Sequence, residues 1–256
     1  MDKAKIEVRG LTKRFDDLLV LNDISFDVRP GEFLSIVGPT GCGKTTLLNI
    51  LSNWWQPSEG QICIDGKPMD PRVQNLAFVF QESSAFPWLT VEQNIQFGMK
   101  EKKFPAPLIA QRTEEIIKML GLEDARNKYC HEISASMEQR VVIGRSFALH
   151  PDLLLMDEPF SALDPLVRQD MQFELLQIQR KLKKTVIFIT HDIDEAVFLG
   201  DKIYVMSARP GKMIKRVNVY LPHKRTLDLK DSPEFIKIRK GINDLLYMAN
   251  TEEDME

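Results

Sequence analysis

The sequence predicts an α/β protein with a mainly parallel sheet, a small antiparallel β subdomain and an inserted helical subdomain. Three observations carry this expectation. Short stretches that are apolar on both faces (33–37, 76–80, 153–157, 185–190 and 203–207) alternate with helical patterns, as strands of a helix-covered parallel sheet do. Two earlier segments, Ile6-Glu7-Val8 and Ile24-Ser25-Phe26-Asp27-Val28, alternate with period two, so each keeps one wet face. Between about residues 87 and 150 strand signals vanish and helical periodicity takes over.

In chain order, the two alternating segments pair first and are joined by Gln61-Ile62-Cys63-Ile64 ahead of an Asp65-Gly66 turn. Glu32-Phe33-Leu34-Ser35-Ile36-Val37 forms a buried strand, and Thr46-Leu47-Leu48-Asn49-Ile50-Leu51 opens a helix. Val91–Phe97, Leu108–Leu120 and Met137–Leu149 supply the helical subdomain, with Pro105 and Pro107 marking a break. Beyond Lys215 come a strand-like Val217-Asn218-Val219 and a helix over Pro233–Met248. The expected organisation is a main domain over 1–220, with its helical part at about 87–150, and an extension over 221–256.

Between the buried strand and its helix lies Gly38-Pro39-Thr40-Gly41-Cys42-Gly43-Lys44-Thr45, followed by Thr46. This is G-x-x-x-x-G-K-[ST] in its strand–loop–helix setting, which separates a phosphate loop from a chance match. Glycines let successive N–H groups face one anion, and the helix N-terminus adds roughly half a positive charge. Lys44 then reaches the β- and γ-phosphates of a nucleoside triphosphate and the Thr45 hydroxyl ligates Mg²⁺. Cys42 serves there as a small side chain.

The 256 residues are 43% hydrophobic and carry 34 basic against 37 acidic side chains, a net charge of −3. That balance argues against nucleic acid as the main partner. Cys42, Cys63 and Cys130 are far apart and form no C-x-x-C, which argues for a reducing compartment without a disulfide scaffold or zinc site. No signal pattern opens the chain. Its longest apolar runs are far too short for a membrane span.

A second chemical motif follows. Leu153-Leu154-Leu155-Met156-Asp157-Glu158 is an apolar strand ending in two carboxylates, at the sheet edge where ligands bind. Asp157 suits a Mg²⁺ partner, and Glu158 a base that orients or deprotonates an attacking water. A capped helix start is the bland alternative for these two carboxylates.

Phosphate loop and carboxylates together, with the motifs between and after them, resemble the ATP-binding cassette (ABC) superfamily of P-loop ATPases over about Ile6–Met213. By that resemblance Gln81, after the strand ending Val79-Phe80, takes the Q-loop position as a catalytic and Mg²⁺-side residue. Ser161-Ala162-Leu163-Asp164 matches the D-loop, and His191 the switch histidine that contacts the γ-phosphate. Phe15 takes the place of the ring stacked on adenine, with a core phenylalanine as the alternative.

The finer texture is similar to the nitrate/sulfonate/taurine importer branch, through Phe80 to Val91, His191 to Leu199, and Ser207-Ala208-Arg209-Pro210-Gly211. The resemblance implies an ATP- and Mg²⁺-dependent subunit at the cytoplasmic face of the cell membrane, working with a permease, a second cassette and, indirectly, a solute-binding protein. Gln81 through Trp88 would receive the permease. Phe86 and Trp88 are either its anchors or packing within the helical subdomain.

One segment departs from the family pattern. Where Leu-Ser-Gly-Gly is usual, this chain has Ile133-Ser134-Ala135-Ser136-Met137-Glu138-Gln139-Arg140. The resemblance makes Ser134 and Ser136 contacts to the partner cassette's nucleotide. Ser136 and Gln139 also fit a capping box that would occupy the N–H groups needed there. Slow hydrolysis, an unequal partnership in a heterodimer, or a regulatory nucleotide switch are the expectations that follow. A soluble cassette protein of translation or DNA maintenance is disfavoured, because the chain has one cassette and no sustained heptads.

Overall fold

Parity along the buried strands sorts their side chains into two cores. In β3 (Phe33–Val37), Phe33 and Val37 face one side, and Leu34 and Ile36 the other. The same alternation splits β7 (Leu153–Asp157): Leu154 and Met156 join the first core, Leu153 and Leu155 the second. Both faces of this sheet are therefore buried, which explains its continuous apolar runs. The computed structural model describes residues 3–70, 75–81, 84–222 and 224–253, with side chains described through residue 249.

The main sheet adds β6 (Leu76–Val79), β8 (Thr185–Thr190), β9 (Lys202–Met206) and β10 (Met213–Asn218), in the order β10-β9-β3-β8-β7-β6. All contacts are parallel except the β9–β10 hairpin. A second sheet is antiparallel, in the order β2-β1-β4-β5, from β1 (Ile6–Phe15), β2 (Leu18–Val28), β4 (Glu59–Ile64) and β5 (Lys67–Pro68). It shares a core with α1 (Lys44–Leu51) and one face of the main sheet.

On the opposite face lie α5 (Pro165–Leu182), α6 (Ile193–Leu199) and α7 (Pro233–Glu253). The helical insertion comprises α2 (Val91–Glu101), α3 (Ala106–Met119) and α4 (Ala135–Ala148). These elements match the fold class read from the sequence.

Several boundaries shift for local reasons. Pro105 caps α3 and Pro107 sits in its first turn, where a missing N–H costs nothing, so the two prolines start the helix. The last strand begins at Met213 and ends at Asn218, earlier than expected, because it is the return arm of a hairpin on β9. The final helix runs past Met248 to Glu253.

The capping box expected at Ser136 and Gln139 is absent. The cap is Ser134, whose hydroxyl accepts from Met137 N at 3.3 Å, while Gln139 is buried with its Nε2 unpartnered. Ser134 has the extended φ and ψ that a cap requires, so the helix begins at Ala135 and Ser136 already lies inside its first turn.

Arg225, which follows β10, is fully buried. Its guanidinium donates to the carbonyls of Val197 (3.0 Å), Phe198 and Gly200 (2.9 Å), closing the C-terminal end of α6. Burial pulls its pKa down to about 10.

Candidate functional site

The phosphate loop leaves β3 at Val37 and enters α1 at Lys44. Gly43 is the cap of α1 with φ 101°, a left-handed conformation that favours glycine, and it offers the first turn no capping side chain. A Cβ at Gly43 would lie 2.7 Å from Leu21 Cδ2 and 3.3 Å from the Val20 carbonyl, so space as well as conformation demands glycine. The N–H groups of this turn are thereby left for an outside acceptor.

Lys44 is almost fully buried and bends back over the loop. Its Nζ donates to the carbonyls of Gly38 (2.9 Å) and Pro39 (3.0 Å) and lies 3.9 Å from Glu158 Oε1. Cys42 is buried beneath, and that burial pushes its thiol up, so it stays neutral.

β7 and β8 deliver the rest of the chemistry to the same sheet edge. Asp157 ends β7 with 5% exposure, and its Oδ1 has no hydrogen-bond partner. Burial raises its pKa, a hydrogen bond from Thr45 works against that, and the neighbouring Glu158 adds to it. Glu158 has φ 43°, which turns the chain sharply as it leaves the strand. Its Oε2 lies 2.7 Å from Nδ1 of His191, whose side chain is 54% exposed rather than held in the core.

A buried network sets the backbone at His191. The Thr190 hydroxyl donates to Glu195 Oε2 at 2.7 Å and accepts from Asp192 N at 2.9 Å. Asp192 Oδ1 caps α6 through the N–H groups of Asp194 and Glu195. Burial pushes the Glu195 carboxyl up, opposed by the hydrogen bond from Thr190.

An open cavity of about 650 Å³ joins these groups. Its floor is Thr40, Gly41 and Gly43 through Thr46, with Gln81, Glu158 and His191 along one side. Phe15, Leu18 and Val20 make an apolar end. Phe15 is 37% exposed, touching Trp55 edge-on at 5.1 Å with Lys13 Nζ 4.8 Å from its ring centre, so it is not a core residue. Gly38, Pro39, Cys42 and Asp157 underlie the cavity wall without lining it.

Ser134 and Ser136 do not line this cavity. They sit at the start of α4, their hydroxyls 2.9 Å apart. The structure adds Leu18, Val20 and Arg209 to the residues expected from sequence. The apolar pair carries no motif, and Arg209 reaches the site only because β9 lies beside β3.

Of the segment Gln81–Trp88, Glu82 and Ser83 lie outside the described residues. The loop that follows is organised by buried Asn94, which accepts from Phe86 N and donates to the carbonyls of Phe86, Leu89 and Thr90. Phe86 stacks on Trp88 at 5.4 Å and takes the Arg145 guanidinium 4.6 Å from its ring centre. Trp88 is 68% exposed.

A phosphate loop on a parallel sheet, with acidic and histidine groups from neighbouring strand ends, defines the P-loop ATPase class. The family model described as ABC transporter matches residues 21–161, and the chain belongs to that family. It is 41% identical over 238 residues to the aliphatic sulfonates import ATP-binding protein SsuB of Bacillus subtilis, covering 93% of this chain and 89% of that protein. The taurine import ATP-binding protein TauB of Pelagibacter ubique is 37% identical over 248 residues, covering 95% and 93% of the two chains. Among solved structures, cbiO1 from Clostridium perfringens, part of the ABC transporter complex cbiONQ, aligns with a TM-score of 0.79 at 28% identity, over 98% of this chain and 99% of that one. No helix among the described residues is long and apolar enough to cross a membrane.

Proposed function

We propose that this chain binds ATP in the cavity above the phosphate loop and hydrolyses it to drive uptake of a small solute through a membrane permease. The observation that carries the reading is the Glu158 carboxylate, held between Lys44 (3.9 Å) and His191 (2.7 Å) at the mouth of the loop. In this reading Phe15 stacks on adenine, and the N–H groups of Gly41 through Thr46 cradle the phosphates. Lys44 exchanges its loop carbonyls for β- and γ-phosphate oxygens. Glu158 takes the proton from a water attacking the γ-phosphorus. The bond to the bridging oxygen breaks, and ADP and phosphate result. His191 orients Glu158 and the γ-phosphate, and Gln81 bounds the attacking water.

Asp157 and Thr45 would hold Mg²⁺, with Gln81 beside them. The partnerless, buried Oδ1 of Asp157 next to Thr45 fits such an ion. Among the described residues no group of three acidic, histidine or cysteine side chains gathers to hold a metal, so phosphate oxygens and waters would supply the remaining ligands. Mg²⁺ would neutralise charge on the phosphoryl oxygens.

The cargo class we infer is a sulfonate, taurine or nitrate, supported by the relatives named for sulfonate and taurine import. The partners are a permease received at Gln81–Trp88, a second cassette, and a solute-binding protein reached through the permease. They place the chain peripherally at the cytoplasmic membrane face. Residues 1–220 would form the ATPase domain and 221–256 its extension.

Glu158→Gln tests the mechanism. ATP binding is retained while single-turnover hydrolysis falls about 10²–10⁴-fold; near-normal hydrolysis overturns the choice of base.

A second reading concerns the partner cassette. The hydroxyls of Ser134 and Ser136 are engaged with each other and with the first turn of α4, leaving less for a nucleotide opposite. A slow homodimer, an unequal heterodimer or a regulatory switch follows. Brisk, cooperative turnover by the pure chain would remove all three.

A further inference from the structure

We propose that Arg209 is a further nucleotide-binding residue, contacting the phosphate chain from the flank opposite Glu158 and His191. The inference rests on the ATP-binding reading above and adds a contact that neither the phosphate loop nor the carboxylate strand supplies.

The sheet order fixes the two flanks. β3, which feeds the phosphate loop, lies between β8 and β9. Glu158 and His191 follow β7 and β8 on one side. Arg209 lies in the β9–β10 turn on the other and lines the same cavity. A phosphate chain lying in the loop would thus meet carboxylate and imidazole on one side and a guanidinium on the other.

The turn that carries Arg209 is fastened to the phosphate loop and to β2. Gly211 N donates to Val20 O at 2.8 Å and Gly211 O accepts from Asn22 N at 3.0 Å. A Cβ at Gly211 would collide with the Cys42 carbonyl, so the two backbones are in direct contact. Ser207 ties the turn from within, its hydroxyl accepting from Lys212 N at 3.0 Å and bonding the Pro210 carbonyl at 3.1 Å. Arg209 is therefore an exposed side chain on a fixed base.

Its donors are largely unspent. A guanidinium offers five N–H groups. Arg209 Nη2 makes one long bond, 3.3 Å, to the carbonyl of Gly41 in the loop itself. Among the described residues no carboxylate pairs with it. An always-charged fork so placed suits phosphate oxygens, which accept two parallel N–H bonds. Trading a long bond to a neutral carbonyl for charge-assisted bonds to phosphate favours the bound state.

The test is equilibrium titration of the full chain with ATP, ADP and AMP, using wild type, Arg209→Gln, Arg209→Lys and Lys44→Ala. Arg209→Gln should weaken ATP binding about tenfold, equal to about 1.4 kcal/mol, with Arg209→Lys in between. The wild-type advantage should shrink at high ionic strength, because an exposed charge is screened, and it should be greater for ATP and ADP than for AMP.

If Arg209→Gln binds ATP within twofold of wild type while Lys44→Ala does not, the contact assigned here is wrong and the site reading stands. An equal loss for all three nucleotides, insensitive to salt, would mean a base or ribose contact and overturns the assignment to phosphate. If wild type shows no saturable binding, the site reading itself fails and takes this contact with it. Because Arg209 is exposed, its variants should keep the wild-type thermal midpoint, which checks that the fold is intact.

Discussion

The starts of α1 and α4 are both helix N-termini named in the sequence as phosphate contacts, and they are built in opposite ways. α1 is capped by Gly43, which has no capping side chain, and a buried lysine folds over the loop. α4 is capped by the Ser134 hydroxyl, which is also bonded to Ser136. α2, α5 and α6 resemble α4: Thr90, Asp164 and Asp192 all serve their own first turns. A helix end that answers its own N–H groups gains stability. One that leaves them open gains a ligand site. The two starts therefore differ in what they hold in reserve.

The largest effect that bears on this contrast should come from Lys44→Ala. It removes the one cation the open loop keeps buried, and ATP affinity should fall about 100-fold, two phosphate contacts at roughly 1.5 kcal/mol each. Unchanged binding in a titration would mean that the backbone alone holds the phosphates.

Gly43→Ser should convert the open start into a closed one. The new Cβ meets Leu21 and sits at φ 101°, which costs about 1–2 kcal/mol of stability. The hydroxyl would also compete for the first-turn N–H groups. Thermal unfolding and ATP titration should both shift; a rise in melting temperature with intact binding would break the comparison.

Ser134→Ala opens the closed start. It should cost about 1 kcal/mol of stability, seen in denaturant unfolding, with ATP affinity of the isolated chain unaltered because Ser134 lies off the cavity. The smallest effect is chemical. Cys42, buried under the loop with its thiol kept neutral, should react with a maleimide far more slowly than partly exposed Cys63. Equal rates in peptide mapping would mean that the open loop breathes.

The phosphate loop was legible in the sequence because its residues are contiguous and their spacing is dictated by one anion. Asp157, Glu158 and His191 are legible for a related reason: each ends or directly follows an apolar strand, and parallel strands bring such ends to one edge. The cap of α4 was misassigned because Ser134 and Ser136 both suit the role, and only the backbone φ and ψ at Ser134 choose between them. Arg209 lies in the segment Ser207–Gly211 that carries the branch resemblance, but nothing local ties it to the phosphate loop. Its position depends on β9 lying beside β3, a non-local pairing that spacing does not encode. Phe15 kept two readings until its exposure and its contact with Trp55 removed it from the core.

Arg225 has a consequence for how the molecule can be shortened. The far end of the helix behind His191 is sealed by a cation supplied from the segment after β10. A chain cut ahead of Arg225 would strand the carbonyls of Val197, Phe198 and Gly200 without donors, and α6 would fray toward the residue that steadies Glu158. The segment around Arg225 is thus a latch on the side of the molecule that carries Glu158 and His191, fastened from behind.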